Sequence, residues 1–184
     1  MKKLILFFIY LFINLSCFSQ SKEITLEKIW KEYTFYPKNI NKFKSTKNGN
    51  HYLSLIKNNN GQEIIMSNYA NGKKIKTLFK SAKFKIEKIN DFKLSKNEEK
   101  ILLFSKTNSI YRYSKESHVY IYDLKTDKIQ QLCEEKVMYA SFSPSSDKVA
   151  YVLNNNLFIK DLKSKKINQI TNDGKKNHII NGAS

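Results

Sequence analysis

Arginine is nearly missing from this chain. Of its 33 basic side chains, Arg112 alone is arginine and the rest are lysine. Proline occurs twice and glycine five times in 184 residues, which excludes collagen-like and proline-rich classes. Cysteine occurs twice, at Cys17 and Cys133. No block of five consecutive basic residues exists, and after the first twenty residues lysines adjoin only at Lys73-Lys74, Lys165-Lys166 and Lys175-Lys176. A net charge of +17 would suit nucleic acid or an anionic surface, but lysines scattered through turns and strand ends suit solvation better. The expectation is therefore no nucleic-acid partner. Salt-dependent binding to an arbitrary duplex would contradict it. The apolar run Leu4 to Ile13 is too short to cross a bilayer, which needs about 20 apolar residues.

Apolar residues are plentiful. The chain is 41% hydrophobic and 13% aromatic, enough for a core and too much for a disordered chain. The start, Met1-Lys2-Lys3, then the apolar run, then the more polar Asn14 to Gln20, has the order of a secretory signal. Residues 1–19 are read as a signal peptide, cleaved near Ser19-Gln20, which places the protein in the periplasm or cell envelope. Cys17 after Ser16 offers lipid attachment as the less favoured alternative. Cleavage leaves Cys133 alone, so no intramolecular disulfide is expected. Cys133 is read as a small buried side chain, because a nucleophile needs a base and no histidine is near in sequence.

Residues 20–40 read as a lead-in with one short helix. Thr25 can cap it, Glu27 suits its first turn, and Leu26, Ile29 and Trp30 share a face. Residues 41–184 read as short strands between polar turns. Within them the chain repeats itself. Leu94-Ser95 and Lys100-Ile101 recur as Phe142-Ser143 and Lys148-Val149, 48 residues on, and Asp123-Leu124 recurs as Asp161-Leu162, 38 residues on. The first copy therefore holds ten extra residues, and Arg112 lies among them. With a first unit from about His51 to Leu78, three units of three or four antiparallel strands result. Such repeats at about 40 to 50 residues predict an all-β fold, a partial β-propeller of about three blades. Propellers need about four blades to close, so the chain is expected to be the front part of a longer protein, with an exposed blade face.

Several of these stretches resemble one family. They are Ile24 to Trp30, Tyr111-Arg112-Tyr113-Ser114 leading to Tyr120-Ile121-Tyr122-Asp123-Leu124, Phe142-Ser143-Pro144, and Asn155 to Leu162. With the ending Ile170 to Ser184, they resemble the N-terminal propeller of dipeptidyl peptidase IV, in the prolyl oligopeptidase group of serine peptidases. The resemblance implies an enzyme that removes dipeptides from peptide N-termini after proline or alanine, with a propeller that gates and orients the substrate. It implies that Arg112 holds a substrate carbonyl, as a planar guanidinium can and an ammonium cannot. The competing role for Arg112 is a surface ion pair with Glu116 or Asp123. The resemblance also implies that the paired glutamates for the substrate amine, the rest of the propeller and the α/β-hydrolase domain with the catalytic triad lie beyond Ser184. A homodimer is possible for the longer protein.

No catalytic residue is assigned within this chain. It contains no Gly-x-Ser-x-Gly motif. His51, His118 and His178 are read as lying in separate turns without metal spacing, so no metal and no cofactor are expected. Glu98-Glu99 is read as a solvated turn pair. The alternative function is a non-catalytic exported propeller that binds a protein or cell-wall partner.

Overall fold

The structure is a computed structural model that describes residues 23–36 and 43–182. The expected signal peptide lies outside the described residues. Two compact units divide at Asn39/Ile40. In the first, helix α1 spans Leu26–Trp30, and the Lys28 amide donates to Thr25 Oγ1 at 3.3 Å, so Thr25 is the cap.

The second unit is all-β and forms a partial propeller of three four-stranded blades. The first blade holds β1 (Phe43–Ser45), β2 (His51–Asn58), β3 (Gly61–Asn68) and β4 (Lys74–Lys80). The second holds β5 (Ile89–Leu94), β6 (Lys100–Ser109), β7 (Lys115–Asp123) and β8 (Lys128–Gln131). The third holds β9 (Val137–Phe142), β10 (Lys148–Leu153), β11 (Asn156–Asp161) and β12 (Ile167–Gln169). All pairings are antiparallel between neighbours in sequence, as in a meander, with one exception. The exception joins β7 to β9 through Glu116↔Met138 and Ser117↔Val137, so the second and third blades share one continuous sheet. His118 belongs to β7 opposite Ser105 and His51 opens β2, so two of the three histidines sit on strands rather than in turns.

The ten additional residues create that exception. β6 and β7 hold 10 and 9 residues, whereas β10 and β11 hold 6 each. The tip between β6 and β7 has five residues (110–114), and that between β10 and β11 has two (154–155). Most of the insertion thus lengthens a ladder. The lengthened part of β7 then offers its free edge to β9.

All three blades turn alike, including the first, whose turn carries no obvious sequence match. The amides of Thr46, Ser95 and Ser143 each donate to a carbonyl five residues on, His51, Lys100 and Lys148, at 2.9 Å. The fourth residue of each turn is left-handed: Gly49 at φ 70°, Glu98 at 58° and Ser146 at 64°. Glycine reaches that region without strain, whereas Glu98 and Ser146 carry a Cβ there. Where the third strand of each blade ends, Asn68, Asp123 and Asp161 accept from the amide two residues on, at 2.7, 3.0 and 3.0 Å.

The blades are held by two apolar layers. Ile101, Leu103 and Tyr122 face the first blade and pack with Leu53, Ile64 and Phe79. Leu102, Val119 and Ile121 face the third and pack with Val137, Ala140, Val149 and Tyr151. Strand residues alternate faces, so the run Ile101-Leu102-Leu103 is apolar throughout because both faces are covered. Two lysine heads, Lys160 buried and Lys93 half-buried, add polar ties. Lys160 donates to the Leu132 carbonyl at 2.6 Å and Gln131 at 3.3 Å, and burial pulls its pKa down. Lys93 donates to the Ala140 carbonyl at 2.9 Å, with its pKa also lowered by burial.

Tyr151 gives this core a pH dependence. Only 2% of it is exposed, and burial pushes its phenol up to about 12. The unfolded phenol titrates near 10, so the folded chain holds the proton longer. The stability from this group is complete below about pH 10 and is lost as pH rises through about 12, at about 1.4 kcal/mol per pH unit. Tyr151→Phe should therefore lose about 2 kcal/mol less than wild type between pH 10 and 12. Urea unfolding at both pH values measures this, and parallel losses in the two proteins would refute it.

Candidate functional site

The enlarged hairpin forms one wall of a cavity of about 700 Å³. Its tip is closed by the Ile110 and Tyr111 amides, which donate to the Ser114 carbonyl at 2.8 and 3.3 Å. This tight closure leaves Tyr111, Arg112 and Tyr113 projecting into solvent, with Tyr113 81% exposed. The opposite wall comes from the third blade and the segment after it: Lys136, Met138, Val152, Asn155, Lys176 and Ile180. The lining mixes apolar side chains with cations, amides and the Glu116 carboxylate.

Arg112 stands on this wall, with its guanidinium carbon 5.5 Å from the Tyr113 ring centroid. Its two expected surface partners are engaged elsewhere. Asp123 lies 3.9 Å from Lys100 and accepts the Lys125 and Thr126 amides. Glu116 accepts from the Asn108 side chain at 3.2 Å. Among the described residues Arg112 makes no ion pair.

One residue opposite the tip is strained. Tyr139 has φ 55°, uncommon for a bulky side chain and costing on the order of 1–3 kcal/mol. It lies where β9 bulges: Ser141 pairs with Ala150 and Met138 with Val152, so β9 spends one more residue than β10. The bulge turns the Tyr139 hydroxyl to 2.9 Å from Ser114 Oγ. The Ala140 carbonyl at the bulge is the one that Lys93 caps. A second cavity of about 180 Å³ is lined by Tyr139 together with Tyr113, which lines both cavities.

Comparison with known proteins places this hairpin in a family. Residues 95–184 match the dipeptidyl peptidase IV (DPP IV) N-terminal region. A crystal structure of dipeptidyl peptidase 4 from Porphyromonas gingivalis shares the fold at TM-score 0.69 and 33% identity, over 84% of this chain and 22% of that one. The chain is a dipeptidyl peptidase IV-like N-terminal propeller segment. Human prolyl endopeptidase FAP is 30% identical over 151 residues, 81% of this chain and 18% of that protein. The chain thus spans about a fifth of the length of these relatives. Both relatives are peptidases, and the family match includes Arg112 and Tyr139.

The remaining candidates fall away from the cavity. Cys133 is half-buried, donates to the Glu135 carbonyl at 3.4 Å, and has its thiol pKa raised by burial, then by Glu135. A raised thiol pKa opposes a thiolate nucleophile. Glu98 and Glu99 are more than a solvated pair. Glu98 accepts the Lys47 amide of the first-blade turn, and Glu99 pairs with Lys125. The neighbouring Asn97 amide donates to Ser146 Oγ at 3.2 Å, so the three turns are clasped in a row. Sequence reading missed these clasps and missed Tyr139. The one available signal was position, since Tyr139 stands three residues before the repeated Phe142-Ser143, opposite the insertion.

Proposed function

We propose that this chain is the substrate-orienting propeller portion of an exported serine-type dipeptidyl peptidase. The enzyme releases dipeptides from peptides whose second residue is proline or alanine. The propeller gates access, and Arg112 donates to a backbone carbonyl of the bound peptide. The catalytic serine, histidine and aspartate belong to an α/β-hydrolase domain encoded beyond this segment, and the full-length protein pairs as a homodimer in the envelope. The observation that carries this reading is Arg112 itself: a lone guanidinium, on an inserted hairpin, at a cavity wall, with no ion pair among the described residues. A carbonyl oxygen is a fitting acceptor for such a fork, since two N–H donors can converge on it.

Activity of the full-length gene product tests this. It should release the chromophore from Gly-Pro and Ala-Pro amides, and N-terminal acetylation of the same amides should abolish turnover. Acetylation leaves the scissile bond intact and removes only the amine charge, so equal turnover would mark an endopeptidase and sink the dipeptide reading. Mass spectrometry of envelope protein should find a mature N-terminus near Gln20. An intact Met1 on cytoplasmic protein would refute export.

A further inference from the structure

We propose that Tyr139 is a positioning residue, holding the hairpin that carries Arg112 at a fixed distance from the third blade. The consequence for turnover rests on the peptidase reading above, whereas the hold on the hairpin does not. Three observations converge on this tyrosine. Its backbone is left-handed at φ 55°, in a bulge that places one more residue on β9 than on β10. Its hydroxyl is 2.9 Å from Ser114 Oγ, at the base of the tip. Among the described residues, this is the side-chain hydrogen bond that ties residues 110–114 to another blade.

The geometry explains why the tie is needed. The β7–β9 ladder ends at Glu116↔Met138, two residues short of Ser114. Beyond that point the tip is closed only on itself, through the Ile110 and Tyr111 amides. Arg112 sits at the free end of this loop, and a guanidinium is useful to a carbonyl only if its planar donors stay oriented. The bulge provides what a regular strand would not. In regular β9 the Tyr139 side chain would follow the alternation of the pleat, and a left-handed residue breaks that alternation to re-aim it. Lys93 supports the bulge from behind through the Ala140 carbonyl. Ser114 lines the large cavity and Tyr139 the small one, so their contact joins the hairpin wall of the first to the third-blade wall of the second.

The test uses the full-length gene product as wild type, Tyr139→Phe, Arg112→Lys and the double variant. Tyr139→Phe deletes one hydroxyl and keeps the ring, and a thermal melt confirms that it folds. Loss of a single hydrogen bond should speed amide exchange across residues 110–114 about two- to tenfold and leave β10 and β11 unchanged. With a Gly-Pro amide, kcat/KM should fall by a similar factor, mainly through KM. In the Arg112→Lys background the same change should have no further effect, because Tyr139 acts through Arg112. Unchanged exchange at 110–114, or kinetic losses that multiply in the double variant, would overturn the proposal. If wild type releases nothing from the Gly-Pro amide, the peptidase reading fails, and the exchange result still decides whether Tyr139 holds the tip.

Discussion

Arg112→Lys in the full-length gene product should lower kcat/KM for a Gly-Pro amide about ten- to hundredfold while the melting temperature stays within about a degree or two. The expectation follows from what the substitution removes. Charge is kept, but the planar fork becomes a point charge on a flexible stem. A charge-assisted hydrogen bond to a carbonyl contributes about 1.5–3 kcal/mol, which corresponds to that range of rates. Folding should barely change, because Arg112 is exposed and, among the described residues, its contact of note is its neighbour Tyr113. A surface role predicts the reverse: stability lower by up to about 1 kcal/mol and turnover intact. Unchanged kcat/KM would take Arg112 out of the site.

A second large effect is expected in the core. Leu103 is fully buried between the first and second blades. Leu103→Ala should cost about 2–5 kcal/mol, since the removed methyls leave a cavity that flanking sheets only partly close. Leu102, the next residue, is as buried but faces the third blade. Leu102→Ala should cost a similar amount by loosening different strands. Hydrogen exchange should rise in β2 and β3 for the Leu103 variant and in β9 and β10 for the Leu102 variant. The same pattern in both would contradict the alternation that the blade arrangement requires.

The repeat between the second and third blades was readable because both use the same local chemistry. Ser95 and Ser143 open a turn, and Asp123 and Asp161 end a third strand, at positions set by short-range hydrogen bonds. The first blade makes those bonds at Thr46 and Asn68, other residue types than serine and aspartate, with Asn68 out of the later spacing, so its strands were legible and its motif match was not. Arg112 stood out because the chain uses arginine nowhere else. What could not be read depends on partners far apart in sequence. Glu98 meets Lys47 from 51 residues away, and Lys93 reaches Ala140 across 47. Nothing in either pair of residue types announces the contact. Tyr139 is the sharpest case, because an aromatic residue in a strand pattern signals regular extension, and tertiary contacts override that preference here.

The β7–β9 pairing also bears on how this protein would yield under load. Side-chain packing peels apart gradually, whereas a ladder of main-chain bonds must be sheared or unzipped. The second and third blades share such a ladder, while the described main-chain pairing leaves the first blade as a separate sheet. Pulled from its ends, the domain should shed the first blade at low force and give up the other two together in one larger event. The arginine hairpin sits at the seam of that sturdier pair, so it should keep its place when the first blade has come away.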